Sequence, residues 1–172
     1  MRLLLNSELD DLFRDFDRSA FHLEVADVYR TPDEAEPIRR YLAGEPDDFA
    51  WQQPWLNLIR ENTAAGRSVR RLRVVTVPHG DYTRWLLNIS HLNVDAGEMI
   101  RWLPRDEVGD LPVTTDDYWI FDDRRVVFTL AAPDGSFTAG ATTEDPAIVA
   151  HCARVRDALW PVAVPHDEYV KR

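Results

Sequence analysis

The sequence predicts an α/β fold: a single domain spanning residues 1–172, with a mixed β-sheet flanked by helices on both faces. Three observations predict it. Early segments with two-residue alternation, such as Ala20–Tyr29, are separated by segments with helical spacing, which implies parallel pairing through helical crossovers. Later strand-like segments follow one another across short turns, which implies an antiparallel meander. The length of 172 residues and a hydrophobic content of 45% support one sizeable core, and a chain of this size buries roughly 70% of its unfolded surface without disulfide staples.

In chain order, Met1–Leu5 is apolar over only a strand's length. Ser7 with Asp10 reads as a capping box, and Leu9, Leu12, Phe13 and Phe16 follow at helical spacing. In Ala20–Tyr29, Phe21, Leu23 and Val25 fall on one face and His22 and Glu24 on the other. Thr31-Pro32-Asp33-Glu34 starts a helix that runs to Ala43, with Gly44 as its C-terminal cap. Residues 45–54 read as an irregular connection. Pro54 opens a helix carrying Trp55, Leu58, Ile59 and Asn62 on one face, and Gly66 ends it.

The run Arg67–Val77 reads as a strand. Its Arg70, Arg71 and Arg73 suggest the solvated face of an edge position, or else an anion or protein contact. Asp81 to about Leu92 is helical, with Tyr82, Trp85, Leu86 and Ile89 in register, and Asp95-Ala96-Gly97 reads as a turn. Glu98–Leu103 is a short strand and residues 105–112 a surface loop. Tyr118–Phe121 and Arg125–Ala131 form a hairpin. Pro133-Asp134-Gly135-Ser136 is a turn before a strand from Phe137 to about Ala141. Thr143 caps the last helix, whose inner stripe is Ile148, Cys152, Val155 and Leu159. Pro161 and Pro165 end it, leaving 161–172 as a polar C-terminal tail.

Composition narrows function. A net charge of −10 argues against direct nucleic-acid binding, which needs a basic footprint, and favours either simple solubility or a basic protein partner. No apolar run reaches the roughly 20 residues of a membrane span, and acidic residues follow the short apolar start at once. The expectation is a cytoplasmic location with no membrane contact. The single Cys152 lies on an apolar stripe and reads as a buried thiol. Lys171 is the only lysine among 20 basic residues, a bias that fits a GC-rich coding sequence.

Chemical motifs are sparse. His22, His79, His91, His151 and His166 show no zinc-like spacing, so neither a metal nor another cofactor is expected. Ser90, His91 and Asp95 lack a nucleophile-elbow pattern, and the seven glycines make no phosphate loop. The best candidate site is the hairpin corner, where Asp122, Asp123, Arg124 and Arg125 stand beside Tyr118 and Trp119. An aromatic wall beside an arginine fork suits a carboxylate, phosphate or nucleobase, whereas a bland reading makes the corner a solvated turn. Trp51 and Trp55, close to Phe49, are core residues or a partner surface, as Arg70, Arg71 and Arg73 are in the sharper reading.

Four motifs together cover most of the chain: F-D-R-S-A-F-H-L-E-V, Y-L-A-G-E-P-D-D-F-A-W-Q-Q-P-W-L, A-A-G-R-S-V-R-R-L-R-V-V and D-Y-W-I-F-D-D-R-R-V-V-F. They resemble an uncharacterised domain-of-unknown-function family of high-GC bacteria, whose members are often encoded beside helix-turn-helix regulators. The layout is also similar to one half of the phospholipase D-like fold. In that fold A-x-x-x-G-V-x-V-R stands where A-A-G-R-S-V-R-R-L stands here, E-M-I-R-W-L matches the strand before its catalytic segment, and E-D-P-A-I-V through A-L-W matches its closing helix.

Active members of that fold carry H-x-K-x-x-x-x-D with G-S six residues later. With Asp123 as the aspartate, Asp116 and Tyr118 take the His and Lys places and Leu130 and Ala131 the G-S places. With Asp122, Thr115 and Asp117 take the His and Lys places. Neither register supplies an imidazole nucleophile and a cation. The resemblance therefore implies a non-catalytic regulatory or binding protein. It would act through a protein partner such as a helix-turn-helix regulator, and would have room to sense a small anionic ligand. The alternative is a phosphate- or nucleotide-directed enzyme or toxin-like effector with a non-standard site. A homodimer is a third reading, because phospholipase D-like halves often pair.

Overall fold

The computed structural model describes residues 1–4, 6–132 and 136–172, with only the backbone described at Asn6 and Ser7. The expected capping side chain of Ser7 and the Pro133-Asp134-Gly135 turn lie outside the described residues. The strands are β1 (Arg2–Leu4), β2 (Ser19–Glu24), β3 (Ser68–Val75), β4 (Met99–Pro104), β5 (Tyr118–Phe121), β6 (Arg125–Ala131), β7 (Phe137–Thr143) and β8 (Val164–Pro165). The helices are α1 (Asn6–Asp15), α2 (Ala35–Ala43), α3 (Gln53–Ala64), α4 (Asp81–Ala96), α5 (Pro146–Leu159) and α6 (His166–Tyr169).

The described strands form one mixed sheet in the order β1-β7-β6-β5-β2-β3-β4-β8. Helical crossovers make β2, β3 and β4 parallel. The meander β5-β6-β7 is antiparallel, and β5 joins it to the parallel strands by pairing antiparallel with β2. After β2 the chain builds outward through β3 and β4, then returns to the opposite side of β2. The strand order thus reverses at β2, as it does at the switch points where open, mostly parallel α/β sheets bind ligands, with β5 here antiparallel to β2.

The structure corrects several expectations. β2 stops at Glu24 rather than Tyr29, because side chains take over the ladder's work there. Asp117 accepts from the Val25 amide at 2.7 Å, and Asp27 accepts from the Thr76 amide at 2.9 Å. α4 includes Asp95 and Ala96, and its end is fixed by Gly97 at φ 108°. The Gly97 amide donates to the Val94 carbonyl and the Glu98 amide to the Asn93 carbonyl, both at 2.9 Å, which makes a Schellman motif. A β-carbon at Gly97 would stand 2.4 Å from the Thr63 hydroxyl oxygen.

Asp145, not Thr143, caps α5: its carboxylate accepts from the Ala147 amide at 2.9 Å and the Ile148 amide at 3.3 Å. The segment 161–172, which reads as a polar tail, supplies the edge strand β8 and the short α6. Tyr169 stacks on Trp102 with centroids 5.7 Å apart, and Trp102 Nε1 donates to His166 Nδ1 at 3.1 Å. Most consequentially, β3 is central rather than an edge strand, because both β2 and β4 pair with it.

Each sheet face has its own core. Under α5, Phe21, Leu23, Leu72, Val74, Tyr118, Ile120 and Val126 pack with Cys152, Val155 and Leu159. Burial pushes the Cys152 thiol up to about 11. On the other face, Ala20, Val69, Trp119, Phe121 and Val127 pack with Leu56 and Ile59 of α3. Further along, Val75, Ile100, Trp102 and Val164 pack with Trp85 and Ile89 of α4. A polar band separates these last two clusters.

Candidate functional site

The hairpin corner is a turn and not a cleft. Asp122 and Asp123 have φ of 55° and 53°, and the Arg124 amide donates to the Phe121 carbonyl at 3.0 Å, as a type I′ turn requires. Asp122 turns inward and accepts from the amides of Asp17, Arg18 and Ser19 at 2.7–2.9 Å. Burial opposes ionisation of that carboxyl, but the three amides hold it below its ordinary value. Asp123 pairs with Arg156, Arg125 pairs with Glu144 at 2.8 Å, and Arg124 is exposed. Tyr118 and Trp119 point to opposite faces. The Tyr118 hydroxyl donates to the Cys152 carbonyl at 2.7 Å, and Trp119 stacks 4.2 Å over His22. The corner thus holds its arginines in pairs or in solvent, and its two aromatic rings are buried in separate cores on opposite sheet faces.

The arginines of β3 divide by the same alternation. Arg70 faces the α5 side, its guanidinium 5.5 Å over the Trp160 ring. Arg71 and Arg73 face the other side, Arg73 buried and Arg71 with its side chain 11% exposed. Arg71 bridges Glu24 and Glu98, with Nε 2.7 Å from Glu98 Oε1, while Arg73 pairs with Glu24 and donates to Ser90 Oγ at 3.0 Å. Trp55 joins this network, its Nε1 donating to Glu98 Oε2 at 3.2 Å; Trp51 instead stacks on Trp85 and donates to Asp47. Asn93 donates to Glu98 at 2.7 Å, and Gln52 donates to Asn93 at 2.7 Å. Burial works against Glu24 and Glu98 ionising, yet the arginines outweigh it and hold both carboxyls low, Glu24 well below the usual range. Two cations and two anions balance in one buried chain.

This network floors a cavity of about 420 Å³ at the carboxyl ends of β2 and β3, where the strand order reverses. The cavity lies at the opposite end of β5 from the hairpin corner. His22, Glu24, Arg71 and Arg73 form the floor. Tyr29, Thr31, Glu34 and Tyr82 form one wall, and Thr115, Asp116, Asp117, Thr129 and Phe137 line the rest with Arg30 and neighbours.

His22 is the anomaly. It is 8% exposed, and neither ring nitrogen makes a hydrogen bond. Nδ1 lies 3.2 Å from Glu24 Oε1 without hydrogen-bond alignment. Burial outweighs the pull of Glu24 and lowers its pKa, so the ring is neutral at pH 7. Unpartnered buried polar atoms are rare and call for a functional account.

The walls are polarised too. The Tyr82 hydroxyl donates to Glu34 Oε2 at 2.8 Å, and Thr31 donates to the same carboxylate. Burial pushes the carboxyls of Glu34 and Asp117 above their ordinary values despite these and other hydrogen bonds. Among the described residues, no three His, Cys, Asp or Glu side chains stand close enough to hold a metal ion, and no helix is long and apolar enough to cross a membrane.

The sequence profile of a domain of unknown function, DUF6879, matches residues 7–171, almost the whole chain. The chain belongs to the DUF6879 family. A search of curated proteins finds no match to it. The DUF6879 match covers every cavity-lining residue and both ends of β5.

His22, Glu24, Tyr29, Glu34, Tyr82 and Asp117 do not stand out in the DUF6879 sequence as a group, because they come from five separate segments. One signal was present. Parallel strands covered by helices on both faces read as near-continuous apolar runs. The alternating polar residues of F-H-L-E-V and V-R-R-L-R break that rule on adjacent strands, and the register His22↔Arg71 and Glu24↔Arg73 puts all four on one face.

Proposed function

We propose that this chain is a non-catalytic binding protein that holds a small molecule in the cavity at the carboxyl ends of β2 and β3. The observation that carries this reading is the buried imidazole of His22, which makes no aligned hydrogen bond, on the floor of a 420 Å³ cavity where the strand order reverses. Cavities of about 300–1,000 Å³ with a few convergent polar groups suit small ligands. A protein partner such as a helix-turn-helix regulator belongs to this reading as the receiver of the binding signal, supported by the family resemblance and the net charge of −10. Cytoplasmic residence and a phospholipase D-like ancestry belong to it as well.

The arrangement of residues supports absence of phospholipase D-like catalysis. Asp116 and Tyr118, which stand in the positions of that superfamily's histidine and lysine, are separated by the sheet: Asp116 is at the cavity mouth and Tyr118 is buried under α5. A phosphate- or nucleotide-directed enzyme is less well supported, because Arg71 and Arg73 are already neutralised by Glu24 and Glu98.

The test is a fragment screen by amide-resolved NMR on the full chain. Shifts clustered at His22, Tyr29, Tyr82, Asp117 and Thr129 are expected. A screen in which bound fragments leave these amides unmoved sinks the proposal.

A further inference from the structure

We infer that the cavity selects a small organic cation, an amine or guanidinium compound with an apolar or aromatic body; this rests on the ligand-binding reading above. The charge inventory is the first argument. Arg71 and Arg73 are held by Glu24 and Glu98 and offer no net positive charge. The remaining charged lining groups are the carboxylates of Glu34, Asp116 and Asp117 against one exposed arginine, Arg30. An anion entering here meets more carboxylates than free cations, whereas a cation meets complementary charge in a partly desolvated site.

Geometry is the second argument. Glu34 and Asp117 are fixed acceptors: Tyr82 and Thr31 orient Glu34, and the Val25 amide orients Asp117 at 2.7 Å. Tyr29 and Tyr82 form a tilted pair with centroids 5.8 Å apart, a π surface suited to a cation or an aromatic ring.

His22 supplies an independent third argument. It is nine-tenths buried, lines the cavity and makes no aligned hydrogen bond, with Nδ1 3.2 Å from Glu24 Oε1 and Nε2 without a polar partner. A neutral imidazole keeps one acceptor nitrogen, which suits an N–H donor. The absence of a three-ligand group among the described residues turns the choice from a metal ion to an organic cation. Burial raises the carboxyls of Glu34 and Asp117, and a bound cation would draw them back toward their ordinary values.

The experiment titrates the full chain with matched compounds sharing one body: 2-phenylethylamine, 2-phenylethanol and 3-phenylpropionate, with agmatine as an aliphatic cation. Calorimetry gives affinity, and NMR shifts locate binding. The amines are expected to bind at the cavity about tenfold or more tighter than the alcohol, and to weaken with added salt. Glu34→Gln and Asp117→Asn are each expected to lower amine affinity by about tenfold, the loss of one charge-assisted hydrogen bond. Glu34→Gln keeps the test sound if Asp117→Asn disturbs the Val25 contact. If the alcohol or the carboxylate shifts the cavity amides as strongly as the amines, the cation inference is overturned and the cavity reading stands. If none of these compounds and no screening fragment moves the cavity amides, both fall.

Discussion

The two faces of β2 and β3 carry the same backbone and opposite chemistry. Toward α5 the strands present Phe21, Leu23, Leu72 and Val74, all 1% exposed or less, in a continuous apolar core. Toward the cavity they present His22, Glu24, Arg71 and Arg73. The apolar face needs only volume and shape. The cavity face needs every partner present, since a buried charge without its counter-charge is far more costly than a well-packed methyl group is beneficial. Stability therefore has a simple source on one face. The other face rests on buried ion pairs that apolar residues of similar volume would often replace at little loss.

The largest expected effect breaks the cavity face. Glu24→Gln removes the shared anion of Arg71 and Arg73 and should cost about 3–5 kcal/mol. Leu72→Ala on the apolar face should cost about 2–5 kcal/mol. Urea unfolding measures both, and a loss below about 1 kcal/mol for Glu24→Gln would erase the distinction between a buried network and a surface pair.

A pH series sharpens the comparison. Glu24 and Glu98 have folded pKa values below their ordinary 4.5, so the unfolded chain binds protons first. Their contribution is complete above about pH 4.5 and is lost as pH falls through their folded values. His22, lowered from 6.5, acts in the same direction, with stability falling as pH drops below 6.5 toward its folded value. Glu34 and Asp117 are raised and act oppositely, so part of the acid loss is offset. Unfolding curves from about pH 7 to about pH 3 should show Leu72→Ala shifting the whole profile without changing its slope, while Glu24→Gln flattens it. Equal slopes in both variants would contradict the assignment of acid sensitivity to the cavity face.

The smallest effect lies at the far end of β5. Arg125→Ala breaks the Arg125–Glu144 pair, whose side chains are 36% and 52% exposed, and should change stability by about 0–1 kcal/mol. A loss comparable to that of Glu24→Gln would restore the hairpin corner as an organising site.

Much of the fold is legible residue by residue. Phe21, Leu23 and Val25 alternate because one sheet face is apolar, and the Gly44 cap follows from the left-handed conformation that ends α2 at φ 68°. The errors have physical causes as well. Arg71 and Arg73 look solvated because arginine is seldom buried without partners, and their partners Glu24 and Glu98 lie in other segments. Asp122 looks like a surface acid, but its carboxylate docks onto amides more than one hundred residues earlier in the chain. In the hairpin, acid, base and aromatic residues adjoin in sequence, yet alternation sends Tyr118 and Trp119 to opposite faces.

By itself the sequence determined the class of fold, the alternation of helices and strands, and the parallel and antiparallel halves of the sheet, because periodicity, caps and turn residues act over a few neighbouring positions. Only the tertiary structure decided that β3 is central, that β2 meets β5, and that His22, Glu34, Tyr82 and Asp117 surround one cavity. Those relations depend on strand order and register between distant segments. A one-residue change of register would send His22 and Glu24 to the opposite face and dissolve the site while leaving every local pattern intact.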